Sequence, residues 1–242
     1  MLQQRVHKRM RNSITVMNAK GGVGKSTLVL ALAETLSAYH DKDVLVIDAD
    51  AQASISHLLM RESELEAAQS GGRTIVDYLT GAVLKASVAS WREFVVPDVS
   101  DVDDARSIAL IPSDTGLTLF EREVSKGDHE AQLRSVIAAV LEEAGQTYDI
   151  VLIDSAPGLS VLTECFLREA DFYLSPTKPD LPRRVGSNFC MDLSNAILRW
   201  ASPRTWVSSS TSKICIRRRM RTLMIGLGRI PKTVASASRY RK

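Results

Sequence analysis

One glycine-rich octet constrains the fold of this chain more than any other feature, Lys20-Gly21-Gly22-Val23-Gly24-Lys25-Ser26-Thr27. It stands between an apolar run at residues 14–17 and a Leu- and Ala-rich stretch at residues 28–33. This order predicts a strand, a loop and a helix, in which backbone N–H groups and the positive end of the helix dipole surround a phosphate. The octet therefore predicts an α/β domain that binds a nucleotide.

The side chains of the octet suit the same chemistry. Lys25 is expected to reach the β- and γ-phosphates, and the Ser26 hydroxyl to take a Mg²⁺ coordination position. The predicted nucleotide-binding positions are Gly21, Gly22, Val23, Gly24, Lys25, Ser26 and Thr27. The usual pattern G-x-x-x-x-G-K-[ST] requires glycine at position 19, where this chain has alanine, and Lys20 adds a second cation that needs a separate role.

Strand-like and helix-like stretches alternate along the chain. The predicted strands are residues 13–18, 44–48, 108–112, 149–154 and 172–176. The predicted helical stretches are residues 25–39, 54–69, 74–79, 131–144, ended by Gly145, and 185–200. This alternation favours a mostly parallel β-sheet flanked by helices on both faces, as in P-loop NTPases.

Composition excludes several other classes of protein. The 242 residues suffice for one sizeable α/β domain, and no apolar run approaches the ~20 residues of a membrane span. Residues 1–11 are polar and basic, unlike a secretory signal. The three cysteines lie far apart and fit neither a disulfide framework nor a zinc site, which indicates a reducing cytosol.

Charge is unevenly distributed along the chain. Residues 201–242 contain 11 Lys and Arg and no Asp or Glu, so residues 1–200 hold the other 20 basic and all 28 acidic residues. The net charge of +3 therefore combines an acidic body with a strongly basic tail. The predicted organisation is a basic extension at residues 1–12, a P-loop nucleotide-binding domain at 13–200 and an atypical tail at 201–242.

Three carboxylates follow predicted strands. Asp154 closes the apolar run 150–153, as a Walker B aspartate does, and with the octet upstream it is expected to hold Mg²⁺ through water, because Mg²⁺ keeps much of its hydration shell. Alone, such a residue is as often a helix or turn cap. Asp48 and Asp50 follow the second strand, where a solvated acidic turn is the alternative interpretation.

These motifs resemble those of the ParA/MinD family of ATPases, over roughly residues 12–198. The octet is similar to the deviant Walker A motif KGGxGK[ST], residues 154–158 to the D-x-A-P-G segment, and residues 48–52 to D-x-D-P-Q, with Ala51 in place of proline. The resemblance implies that ATP and Mg²⁺ are the cofactors and that Lys20 reaches the nucleotide of the other subunit. It also implies that Lys20, Lys25 and Asp50 act in catalysis, with Asp50 orienting the attacking water, and that Ser26, Asp48 and Asp154 serve the Mg²⁺ shell.

Residues 107–114 and 176–180 resemble segments of ParA-type DNA-partitioning proteins. This implies a cytoplasmic, nucleoid-associated ATPase that forms an ATP-dependent homodimer, binds DNA non-specifically and is stimulated by a ParB-like centromere-binding partner. Arg183 and Arg184 are candidate DNA contacts or a solvated pair.

Other members of the family give alternatives. A MinD-like membrane ATPase would need an amphipathic helix, for which residues 214–230 are the candidate, although Gly226, Gly228 and Pro231 weaken it. An amidoligase shares the loop, but no substrate site is identified. A relative of the nitrogenase iron protein would need cysteines that bind its metal cluster, and Cys165 and Cys190 do not lie at the motif positions for them.

The tail departs from the family pattern. After residue 200 the family has another strand, an asparagine segment that contacts adenine and a final helix, but this chain has a Ser/Thr-rich stretch and a run of arginines. Two hypotheses explain this: a basic arm that holds DNA or membrane, or a shift of reading frame near residue 200, which would give a damaged protein with impaired turnover. Reading the gene in all three frames distinguishes them.

Overall fold

A computed structural model describes residues 12–87, 89–105, 107–177, 213–218 and 222–226. Seven strands are found there: β1 Ser13–Val16, β2 Val44–Ala49, β3 Ile108–Ile111, β4 Ile150–Ser155, β5 Phe172–Thr177, β6 Lys213–Arg218 and β7 Thr222–Gly226. They form one sheet in the order β3-β2-β4-β1-β5-β6-β7. The first five are parallel to their neighbours, and β6 and β7 are added antiparallel. The predicted mostly parallel α/β sheet is confirmed.

Helices cover both faces of this sheet. They are α1 Lys25–His40, α2 Ser54–Leu59, α3 Glu62–Ser70, α4 Ile75–Leu79, α5 Leu117–Lys126, α6 Glu130–Thr147 and α7 Val161–Glu169, with a π-helical turn at Thr80–Leu84 and a 3-10 turn at Trp91–Phe94. Helices α1 to α3 pack on one face and α4 to α7 on the other. Neighbours along β2 alternate between the two cores, and because both faces are covered, its apolar run is nearly continuous.

The helix boundaries differ from the predictions in three places. The stretch 54–69 is two helices, because Met60 and Arg61 adopt extended backbone between them. Helices α5 and α7 were not predicted. Helix α6 continues past Gly145 to Thr147, so Gly145 does not end it. A Cβ on Gly145 would lie 2.6 Å from Asn12 Oδ1, and glycine therefore permits a close approach to β1.

The basic tail contributes the last two strands of the sheet. Both β6 and β7 fall within residues 201–242, and β6 pairs with β5 along its whole length. The MinD-like alternative needs an amphipathic helix at 214–230. That prediction is wrong for residues 214–218 and 222–226, which form strands. The predicted helix at 185–200, Arg183 and Arg184 lie outside the described residues. No helix in the described ranges is long and apolar enough to cross a membrane.

Candidate functional site

The glycine-rich loop lies at the centre of one edge of the sheet. Strand β1 runs between β4 and β5, and its loop leads directly into α1. Val16, at the end of β1, is in register with Asp154 on β4, which is in register with Asp48 on β2. Because parallel strands end at a common edge, the loops that follow β1, β2 and β4 meet there, where open α/β sheets bind ligands.

The backbone of the loop requires glycine at two positions. Gly22 and Gly24 have φ angles of 67° and 88°, in the left-handed region that side chains disfavour. A Cβ on Gly21, Gly22 or Gly24 would meet no atom within 4 Å, so close packing is not the reason for glycine here. Helix α1 has no side-chain N-cap bond and no acidic residue in its first turn, which leaves its first N–H groups for another acceptor. The loop is thus shaped for an anion.

Lys25, the first residue of α1, is a buried cation. Lys25 is only 8% exposed, and its ammonium group forms no ion pair with any described residue. Burying an ammonium group without an anionic partner is costly. The charge of Lys25 does lower the pKa of Asp154, which places the two groups in one electrostatic environment. A bound anion would complete this site.

Asp154 is a fully buried carboxylate beside the Ser26 hydroxyl and the Lys25 ammonium group. Both of its oxygens lack a well-formed hydrogen bond within the described part of the chain. Burial raises its pKa to about 6, against the lowering effects of the nearby Ser26 hydroxyl and Lys25, and the charge of Asp50 raises it further. Orphaned carboxylate oxygens beside a serine hydroxyl fit Mg²⁺, which takes one or two carboxylates together with phosphate oxygens and waters.

A complete set of protein ligands is not needed to bind Mg²⁺ at this site. In the described ranges, no three His, Cys, Asp or Glu side chains come together to hold a metal. A Mg²⁺ ion that arrives with a nucleotide needs fewer protein ligands than that, because the phosphates supply the rest. Asp154 and Ser26 are the residues that would hold it.

Asp48 lies in register with Asp154 and differs from it, because both carboxylate oxygens of Asp48 accept hydrogen bonds. Oδ2 accepts hydrogen bonds from the Ser56 hydroxyl at 2.6 Å and the Ser56 N–H at 3.1 Å, and Oδ1 accepts the Asp50 N–H at 3.1 Å. Burial is the main cause that raises its pKa to about 7. The geometry favours Asp48 as the anchor that ties α2 and the Asp50 loop to β2, rather than as a direct metal ligand.

Asp50 lies in a tight turn beside these groups. Its Oδ1 accepts the Gln52 N–H at 2.9 Å, and its carbonyl accepts the Ala53 N–H at 2.9 Å. This side-chain turn gives the loop a fixed shape, although Ala51 replaces the proline of the family pattern. Asp50 is 8% exposed, so its carboxylate is held at the edge of the site.

Lys20 differs from Lys25 in exposure. Its side chain is exposed at the beginning of the loop, and it makes no ion pair with the described residues. Only its backbone is held, through a hydrogen bond from its N–H to Asn18 Oδ1 at 2.9 Å. The structure therefore brings Lys25, Ser26, Asp48, Asp50 and Asp154 together and leaves Lys20 free to contact a second molecule.

Sequence reasoning missed two residues that shape the site: Asn18 precedes the loop, and Ser56 holds Asp48. Gly158, which the sequence analysis placed in the segment 154–158, donates its N–H to the Asn18 carbonyl at 3.2 Å with a φ of 95°. Asn18 was visible in the sequence as a turn-forming residue two positions before Lys20. Nothing in the sequence distinguishes Ser56 from Ser54, the other serine of its helix.

Comparison with known proteins gives consistent results. A family model described as an AAA domain matches residues 11–193. A ParA family protein of Chlamydia pneumoniae is 31% identical over 69% of this chain and 59% of its own. A plasmid partition protein from Borrelia burgdorferi has a similar solved structure, with a TM-score of 0.58 and 26% identity over 78% of this chain and 74% of its own.

A more distant enzyme shares the fold. Cobyrinic acid a,c-diamide synthase from Mycobacterium smegmatis, solved with an ATP analogue and magnesium, is 24% identical with a TM-score of 0.58, over 77% of this chain and 68% of its own. The chain spans 45% to 63% of the length of the first curated relatives that it matches. The family match over residues 11–193, the 31% identity to a ParA family protein and the similar fold of a plasmid partition protein lead to one conclusion: the chain belongs to the ParA/MinD family of P-loop ATPases.

Proposed function

We propose that this protein is a ParA-like ATPase that binds Mg·ATP, dimerises around it and hydrolyses it to ADP and phosphate during DNA segregation. The proposed partners are non-specific DNA and a ParB-like centromere-binding protein, and the proposed location is the nucleoid of the cytoplasm. The observation that carries this proposal is the juxtaposition of two buried charges, Lys25 and Asp154, which form no ion pair within the described residues and lie below a loop open to an anion.

The two charges have different tasks in this proposal. Lys25 and the N–H groups at the start of α1 bind the phosphates, and Asp154 with the Ser26 hydroxyl holds Mg²⁺. Bound Mg²⁺ would neutralise charge on the phosphates. Asp50, fixed in its turn at the edge of the site, orients the attacking water.

The exposed position of Lys20 is the reason that the proposed active form is a dimer. An exposed lysine without an ion pair can contact the phosphates held by a second copy of the chain, where it neutralises the charge that spreads over the phosphoryl oxygens during transfer. ATP then stabilises the dimer, and hydrolysis weakens it, because the ligand that links the subunits is consumed.

Dimerisation and turnover test this role of Lys20. We expect the wild-type chain to sediment as a dimer with Mg·ATP and as a monomer with Mg·ADP, and Lys20→Ala to bind ATP while losing dimerisation and hydrolysis. Lys42→Ala is the control, because it also removes a partly exposed lysine, at the other end of α1, where Lys42 contacts Asp149 at 3.8 Å. If Lys20→Ala retained both properties, the proposed function would be wrong.

The DNA partner rests on charge. Residues 201–242 supply 11 basic residues, and each phosphate contact releases counterions, so binding should weaken steeply as salt increases. We expect retention on DNA of unrelated sequences only with Mg·ATP, with a strong salt dependence, and no co-sedimentation with anionic liposomes. Lipid binding in place of DNA binding would support the membrane alternative instead.

A further inference from the structure

We propose that Asn18 is the positioning residue that sets the backbone of Lys20 for its action on the nucleotide, an inference that rests on the proposed function. Asn18 follows β1 and is only 4% exposed. It joins three segments at the edge of the sheet: the beginning of the glycine-rich loop, the end of β5 and the turn that contains Gly158.

Both ends of the Asn18 amide are used. Oδ1 accepts the Lys20 N–H at 2.9 Å, and Nδ2 donates to the Pro176 carbonyl at 2.7 Å and to Ser175 Oγ at 3.4 Å. A side-chain oxygen that accepts the N–H two residues later forms an Asx turn, which fixes the local backbone. Among the residues of similar size, asparagine provides this acceptor and an amide donor without adding a charge.

The two lysines of the loop therefore have separate supports. Lys25 is positioned by α1, because it is the first residue of that helix. Lys20 lies before the glycines and is held at its root by the Asx turn of Asn18. A change at Asn18 should consequently alter what depends on Lys20 and leave phosphate binding by Lys25 nearly unchanged.

The turn that follows β4 is connected to the same residue. Gly158 donates its N–H to the Asn18 carbonyl at 3.2 Å, four residues after Asp154. The backbone of Asn18 thus contacts the segment that carries the proposed Mg²⁺ ligand, while its side chain contacts the lysine proposed to act between subunits. Its position connects the two halves of the proposed dimer site.

The chain contains a matched control for this test. Asn12 lies at the opposite end of β1, is 7% exposed and donates its Nδ2 to two carbonyls, those of Gly145 at 3.2 Å and Tyr148 at 2.8 Å. Asn12→Ala removes a buried amide of the same kind without touching the loop. Thermal unfolding of Asn12→Ala and Asn18→Ala measures the structural part of each substitution.

The experiment compares Asn18→Ala, Asn12→Ala, Lys20→Ala and the double variant Asn18→Ala/Lys20→Ala in the full chain. The readouts are ATP affinity of the monomer, ATP-dependent dimerisation by sedimentation and kcat for ATP hydrolysis. We expect Asn18→Ala to lower dimer affinity and kcat about tenfold, the effect of one lost hydrogen bond, with ATP affinity changed less than about threefold. The double variant should be no worse than Lys20→Ala, because both act through one group.

A second variant keeps the test valid if alanine unfolds the chain. Asn18→Ser retains a hydroxyl that can accept the Lys20 N–H in a weaker turn, and it should restore part of the lost kcat. If Asn18→Ala matches Asn12→Ala in every readout, or weakens ATP binding by the monomer as much as it lowers kcat, the inference is wrong. If Lys20→Ala itself changes neither dimerisation nor hydrolysis, the proposed function fails first.

Discussion

The two ends of the central strands differ in how their polar groups are satisfied. At the amino end, Asn12 donates to the carbonyls of Gly145 and Tyr148, and the Ser13 hydroxyl donates to Asp171 at 2.8 Å. One neutral atom there, Asn12 Oδ1, is buried without a partner. At the carboxyl end, a carboxylate and an ammonium, those of Asp154 and Lys25, are buried and unpaired within the described residues.

This difference separates a region built for stability from one built for a ligand. A buried neutral group without a hydrogen bond costs about 1–3 kcal/mol, and a buried charge without a partner costs more. Within the described residues, both buried charges without an ion pair lie at the end where the loop is open to an anion. Substitutions should therefore have different effects at the two ends. At the carboxyl end they should weaken ATP binding, and at the amino end they should lower the free energy of unfolding.

Lys25→Met gives the largest expected effect. ATP affinity should fall about 100-fold or more, because the buried cation that faces the phosphates is removed. The free energy of unfolding without nucleotide should change little, because the cost of burying the ammonium group disappears while its favourable effect on the Asp154 carboxylate is lost. Fluorescent-nucleotide titration and urea unfolding measure the two quantities, and a variant that binds normally would remove the distinction between the two ends.

Asp154→Asn tests the second buried charge through pH. Burial raises the pKa of Asp154 from 3.8 to about 6, so between these values the folded chain binds more protons than the unfolded chain. The free energy of unfolding should therefore fall as pH rises through this interval, by on the order of 3 kcal/mol from this group, and stay low above it. Asparagine removes this dependence.

Urea unfolding of both proteins without Mg²⁺, at pH 4 and pH 7.5, measures the change. The variant should gain stability relative to the wild-type chain mainly at pH 7.5. Mg²⁺ should strengthen ATP binding by the wild-type chain and not by the variant. An equal stability difference at the two pH values would contradict an unpaired carboxylate at this position.

Gly24→Ala tests the shape of the loop and should have a smaller effect. Its φ of 88° is unfavourable for alanine by about 1–3 kcal/mol, although the added Cβ meets no atom. We expect weaker ATP binding, because the N–H groups at the start of α1 shift. Gly21→Ala is the control, since this position also has open space and lacks a positive φ. Equal affinities for the two variants in the nucleotide titration would show that the backbone conformation is unimportant.

Asn12→Ala should have the smallest effect on binding and a clear effect on stability. Two hydrogen bonds to buried carbonyls are lost, which costs about 1–3 kcal/mol in the free energy of unfolding. ATP affinity should change less than about twofold, because the substitution lies at the opposite end of β1. Urea unfolding and nucleotide titration of the same preparation check both statements, and a large loss of affinity would mean that the two ends are coupled.

The sequence predicted the sheet better than its covering. The five parallel strands are rich in apolar residues, and their positions were predicted to within about two residues. Helices α5 and α7 were not predicted, although Gly127 follows α5 and the Ser160 side chain caps α7. Gly145 was misread because a close contact with Asn12, distant in sequence, decides its role. Local patterns cannot reveal such long-range contacts.

In the candidate site, too, local motifs were readable from the sequence and long-range contacts were not. Lys25, Ser26, Asp50 and Asp154 were predictable because each belongs to a motif with a fixed order. The difference between Asp48 and Asp154 was not, since it depends on whether Ser56 reaches one carboxylate and leaves the other without a partner. The support of Lys20 by Asn18 likewise became visible only in three dimensions.

Calorimetric titration of the full chain with ATP, with and without Mg²⁺ at pH 7.5, tests the central claim most directly. If the unpaired charges at the carboxyl end form the ligand site, the wild-type chain binds one ATP per subunit, and Mg²⁺ tightens the binding. Asn12→Ala then binds equally well, and Lys25→Met does not bind measurably. Absence of binding by the wild-type chain, or unchanged binding by Lys25→Met, would contradict the account.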